Sequence, residues 1–152
     1  MASMSLRVVA DCSIVAKWKL SGEPHATEAE ELLRDWRHLA VEVIAPSVLA
    51  SEILSAFFRA FRRGRISETE AVSYIQDLLR LPFDLHDTTE PLVLKAFHIA
   101  KSYIQSSYDC LYVALAEQEG VEFWTGDQRL FNALHQHFPL VRWIGDYKRK
   151  RP

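Results

Sequence analysis

The sequence predicts an α/β fold: a mostly parallel sheet of four to five strands with helices on both faces. Two observations predict it. Short apolar runs of strand length alternate along the chain with longer runs whose apolar residues recur every three to four positions. Strand–helix alternation of this kind makes parallel strands joined by right-handed crossovers, which put helices on both faces of the sheet. A third observation sets the scale: 152 residues, 49% hydrophobic and 25% charged, suffice for one domain with a sizeable core.

Each element has its own justification. Leu6 to Ala10 is the first strand, closed by Asp11. A short helix follows from about Ser13, whose hydroxyl is placed to cap it. Ser21-Gly22-Glu23-Pro24 is a loop. Thr27-Glu28-Ala29-Glu30 resembles a capping box, although Pro24 points to a slightly earlier start. That helix carries Ala29, Leu32, Leu33 and Trp36 on one face and ends near Leu39. Val41 to Ala45 is the second strand. Pro46 opens a long helix patterned by Val48, Leu49, Ile53, Ala56, Phe57, Ala60 and Phe61, which ends in Arg62-Arg63-Gly64. Ser67-Glu68-Thr69-Glu70 is a second capping box and opens a helix to about Leu81. Phe83 to His86 is a short strand. Helices follow from Thr89 to Tyr103 and from Ser107 to about Gln118, the second stopped by Gly120. Val121 to Thr125 is a strand, Asp127 to His135 a helix, and Leu140 to Ile144 the last strand. There is no internal repeat and no linker, so residues 1–152 read as one domain: a core from about 6 to 147 and a short basic tail, 148–152, expected to fray.

Composition excludes several classes. No run is long enough to span a bilayer, and Met1-Ala2-Ser3-Met4-Ser5 lacks the basic and apolar regions of a signal peptide, which makes the cytoplasm the expected location. A net charge of −2 gives no bulk attraction to nucleic acid, so such binding would need local patches or metal ions. Cys12 and Cys110 are too few for a disulfide framework and fit no zinc motif; both read as small buried hydrophobes.

Four acids carry the functional signal: Asp11, Glu52, Asp109 and Asp127. Asp11 and Asp127 lie at the carboxyl ends of predicted strands, where open α/β sheets bind ligands. Glu52 shares a helix face with Val48 and Ala56, and Asp109 heads an apolar stripe of Tyr112, Val113 and Ala116. Each acid alone has an ordinary explanation: a turn or cap for the aspartates at strand ends, marginal exposure for Glu52, dipole compensation for Asp109. Four together are harder to explain so. Converging carboxylates repel, and Mg²⁺ or Mn²⁺ relieves that repulsion through hard oxygen ligands. His135 and His137 diverge on a helix and suit no zinc site.

Four stretches now carry a resemblance: Val9-Ala10-Asp11-Cys12-Ser13, Ser51-Glu52-Ile53-Leu54-Ser55, Tyr108 to Ala116, and Thr125-Gly126-Asp127-Gln128-Arg129-Leu130. In this order and spacing, from Val8 to about Tyr147, the chain resembles PIN-domain ribonucleases, specifically the toxins of VapBC-type toxin–antitoxin pairs. The resemblance implies a three-layer PIN-like domain and a Mg²⁺- or Mn²⁺-dependent endoribonuclease, acting on tRNA or rRNA in many members and leaving a 5′-phosphate and a 3′-hydroxyl. It makes Asp11, Glu52, Asp109 and Asp127 the catalytic, metal-binding quartet, with Ser13 and Thr125 supporting the pocket and Ser55 counted with them. Ser55 stands where many members have Asn, and Cys110 where many have Ala. A cognate antitoxin and a homodimer are also implied; Trp18, Trp36 and Phe58 could contribute to either interface, with core packing the commoner role for aromatics. From the residues themselves, Arg59, Arg62, Arg63 and Arg65 are candidate RNA-backbone contacts, with a solvated helix terminus as the alternative. A non-catalytic PIN-like module that binds RNA or protein is the competing reading. A phosphotransfer enzyme fits less well, because Ser13 stands where phosphatases of that type want a second Asp.

Overall fold

The computed structural model describes residues 6–150; Met1–Ser5 and the last two residues of the tail, Arg151 and Pro152, lie outside the described residues. The order of elements is β1 (Leu6–Ala10), α1 (Cys12–Val15), a 3₁₀ turn (Ala16–Trp18), α2 (Ala26–Arg37), β2 (Val41–Pro46), α3 (Leu49–Arg62), α4 (Glu68–Leu79), β3 (Asp84–His86), α5 (Glu90–Tyr103), α6 (Ser107–Glu119), β4 (Glu122–Thr125), α7 (Gln128–Leu134), β5 (Val141–Trp143) and a closing 3₁₀ turn (Ile144–Asp146). The five strands form one sheet in the order β3-β2-β1-β4-β5. Every neighbouring pair is parallel.

Parallel strands need crossovers, and here the chain moves outward from β1 in two directions. It goes first to β2 and β3, then returns across the sheet to β4 and β5. The strand order therefore reverses between β1 and β4, which makes the carboxyl ends of these two strands the switch point. Val8, Val9 and Ala10 are successive residues of β1 and all buried, as a strand covered on both faces requires. α6 packs against β1, β2 and β4, and α2 against β2. In α6, Cys110 and Tyr112 to Ala116 are all buried, so this helix is apolar on nearly every side rather than along a single stripe.

Several boundaries differ from the sequence expectation. Pro46 does not open α3: it ends β2 and pairs with His86 of β3. A proline at the last residue of a strand loses little, because the ladder hydrogen bond it cannot donate lies at the end of the pairing. Ser13 is not the cap of the first helix; the Asp11 side chain is, accepting from the Ser13 amide. α2 starts one residue before Thr27, after His25 in the left-handed conformation (φ 57°), so the expected capping box is not formed. At α4 the box is complete: Ser67 Oγ accepts from the Glu70 amide and Glu70 Oε1 from the Ser67 amide.

Trp18 and Trp36 are buried in an aromatic cluster with Phe83, and Trp18 Nε1 donates to the Ala29 carbonyl. That burial removes both tryptophans from any surface, whereas Phe58 is exposed on α3. The tail does not simply fray. Asp35, on α2 and 2% exposed, accepts from the Tyr147 hydroxyl at 2.6 Å and from the Lys150 amide at 2.8 Å.

Candidate active site

The register brings two of the four acids together. Ala10 pairs with Trp124, so Asp11 leaves β1 beside Thr125, and Asp127 follows two residues after Thr125. α3 and α6 bring Glu52 and Asp109 to the same place. All four carboxylates line one cleft of about 810 Å³, with Ser13, Lys17, Ser55, Arg59, Arg63 and Arg65 also on its walls.

Asp11 is the most deeply held. It is 4% exposed, and Thr125 Oγ1 donates to its Oδ2 at 2.6 Å. Its Oδ1 accepts from the Ser13 amide at 3.1 Å and from the Ser13 hydroxyl. Ser13 Oγ in turn accepts from the Gly126 amide at 2.8 Å, tying the end of β4 to the first helix. Burial pushes the Asp11 carboxyl up to about 7; the two hydroxyls oppose the rise, and the charges of Asp109 and Glu52 add to it. Burial also raises Asp109 to about 6, with Glu52 and Asp127 contributing. Glu52 is raised by burial against the pull of Arg59 and of the Tyr112 hydroxyl, which donates to its Oε1 at 2.6 Å. Asp127 is exposed and caps α7, its Oδ1 accepting from the Arg129 and Leu130 amides. The ordinary role of a cap and a position on the cleft therefore coincide in one residue.

The donor chemistry suits a hard divalent cation. The acids offer only oxygen, neighbouring carboxylates help to raise Asp11 and Asp109, and the cleft has room for water. Among the described residues no three His, Cys, Asp or Glu side chains are gathered tightly enough to close round one ion.

The basic residues divide. Arg59 Nη1 donates to Ser55 Oγ at 3.3 Å, so Ser55 supports an arginine rather than a carboxylate. Arg63 also lines the cleft. Arg65 is tied to Glu23 at 3.2 Å and to the Ser21 carbonyl. Arg62 is not on the cleft and lies over the Phe58 ring, 5.9 Å from its centroid. Both cysteines are buried, and burial raises Cys12 to about 12 and Cys110 to about 11, so neither is a thiolate nucleophile. Two residues at the site escape the sequence reading: Tyr112, buried behind Glu52, and Lys17, on the cleft wall. In that reading Tyr112 shows only as an apolar position, because its bond to Glu52 joins helices 60 residues apart in sequence. Lys17 lies in the short 3₁₀ turn after α1 and carries no signal of its own.

Comparison with known proteins follows the same lines. The PIN domain family model matches residues 8–135. The chain is 30% identical over 128 residues to Ribonuclease VapC3 of Pyrobaculum aerophilum, a match covering 82% of this chain and 92% of that one. Among solved structures, a toxin–antitoxin complex from Klebsiella pneumoniae is similar with a TM-score of 0.59 at 14% identity, covering 90% of this chain and 97% of that one. The sarcin–ricin loop cleaving toxin VapC20 of Mycobacterium tuberculosis is similar with a TM-score of 0.58 at 17% identity, covering 95% and 99%. Fold, family model and curated relative agree: the chain belongs to the PIN-domain family, and the VapC ribonucleases are among its relatives.

Proposed function

We propose that this protein is a divalent-metal-dependent endoribonuclease and the toxin of a toxin–antitoxin pair. The observation that carries the reading is the meeting of Asp11, Glu52, Asp109 and Asp127 in one cleft at the switch point of the sheet. The ribonuclease relative supports the activity, and the toxin–antitoxin complex of similar fold supports the partner. When bound, Mg²⁺ or Mn²⁺ supplies Lewis acidity toward the attacking water and the phosphate oxygens.

The chain's own residues do the rest. Ser13 and Thr125 fix the orientation of Asp11, the Tyr112 hydroxyl fixes Glu52, and two helix amides fix Asp127. Carboxylates held in this way are preorganised and need not reorganise as the phosphodiester reacts. Arg59 and Arg63 on the cleft wall draw the RNA backbone in. An antitoxin would silence the site by placing a basic side chain among the carboxylates. The exposed Leu54, Phe58 and Phe61, at helical spacing on α3, give a protein partner or a second copy of the chain an apolar face to cover.

The test is RNA cleavage by the purified protein with Mg²⁺ or Mn²⁺, beside EDTA and Asp11→Asn controls. Cleavage lost in both controls is the expected outcome. The competing reading is a PIN-like module that binds RNA or protein without cutting it. Calorimetric titration with Mn²⁺ separates the two: the nuclease takes up metal with loss of signal in Asp11→Asn, and a binding-only module shows no uptake and no cleavage.

A further inference from the structure

Lys17 stands in the 3₁₀ turn after α1 and lines the acidic cleft. Its stem passes against Gly126, at the mouth of β4. A Cβ added at Gly126 would fall 2.7 Å from Lys17 Cε, 3.1 Å from Ser13 Oγ and 3.3 Å from the Ser13 carbonyl. Unlike Gly22, Gly64 and Gly120, Gly126 does not have a positive φ, so no backbone conformation demands glycine there. What a side chain at 126 would obstruct is the lysine stem and the serine that holds Asp11.

The lysine so placed forms no ion pair among the described residues. Of the other cations on the cleft, Arg59 is bonded to Ser55 and Arg65 to Glu23, while Arg63, at the far end of α3, forms no ion pair among the described residues. A phosphodiester carries its own negative charge into a pocket already crowded with carboxylates, and a compact, unpaired ammonium suits a phosphate oxygen. We propose that Lys17 is a substrate-binding residue whose ammonium holds a non-bridging oxygen of the RNA phosphodiester beside Asp11 and Asp127. The proposal rests on the ribonuclease reading above.

Lys17→Met keeps the stem and removes the charge; Lys17→Arg keeps the charge. Both are measured for cleavage of a single-stranded RNA oligonucleotide with Mg²⁺, and for equilibrium binding of that oligonucleotide over a range of salt. Lys17→Met is expected to raise KM roughly ten- to hundredfold with a smaller effect on kcat. It is also expected to reduce the slope of log affinity against log salt by about 0.7, the loss of one single-strand phosphate contact. Lys17→Arg recovers most of both, and unfolding midpoints of all three proteins coincide. Unchanged KM and salt slope in Lys17→Met, or equal losses in Met and Arg, would overturn the proposal. If the parent protein binds RNA without cutting it, the ribonuclease reading fails, while the salt slope of Lys17→Met still decides the contact. A parent that neither binds nor cuts RNA overturns both.

Discussion

At the scale of the residue, Asp11 is held in a position that disfavours its own ionised form. Its carboxyl, raised from 3.8 to about 7, ionises later in the folded protein than in the unfolded chain. Between these values the unfolded chain binds fewer protons, so the stability of the metal-free protein falls as pH rises from about 4 to about 7. Asp109 adds to the fall up to about 6. Thermal melts in EDTA are expected to show that decline, and Asp11→Asn to flatten it. Asp11→Asn is also expected to exceed the parent in stability at about pH 8 by on the order of 2 kcal/mol; parallel curves for the two proteins would contradict this. The acids were legible in the sequence because each breaks an apolar pattern at a strand end or on a helix face. Tyr112 and Lys17 were not. A tyrosine in an apolar helix and a lysine in a short turn break no pattern, and only the fold brings Tyr112 against Glu52 and Lys17 to the cleft.

At the scale of the element, capping governs where helices start, and the sequence shows it unevenly. The box at Ser67 reads directly because its partners lie three residues apart. Ser67→Ala is expected to destabilise the protein by about 1 kcal/mol, measured by urea unfolding, with RNA cleavage unchanged because α4 carries none of the four acids. The start of α2 was harder to read. His25 in the left-handed conformation does what Thr27 was expected to do, with no side-chain hydrogen bond to announce it. Pro46 misled for a related reason: a proline before a helical pattern suits a first turn, yet it equally suits the last residue of a strand. Pairing with β3 settles the matter, and such pairing leaves no local mark.

At the scale of the whole molecule, the parallel sheet was legible because strand and helix periods alternate cleanly. The return of the tail was not, because Asp35 meets Tyr147 and Lys150 across 112 and 115 residues of sequence. One carboxylate oxygen therefore fastens the end of the chain to α2. Asp35→Ala is expected to cost about 1 to 3 kcal/mol in unfolding free energy and to free the segment after Ile144 for proteolysis, while Asp35→Asn keeps an acceptor and loses less. Equal protease resistance in the alanine variant and the parent would show that the segment is held by packing alone.

The two outer strands of the sheet have a consequence for how the protein meets others. β3 and β5 are three residues long, and both carry charge: Asp84 and His86 sit in a network with Arg7 and Glu119, and Arg142 is bonded to Glu122. Short, charged borders resist the addition of a further strand from another chain, the usual route by which sheets fuse into larger sheets or fibrils. Association is thereby steered to the helices, and a binder that works by lending a β-strand finds no template on this surface.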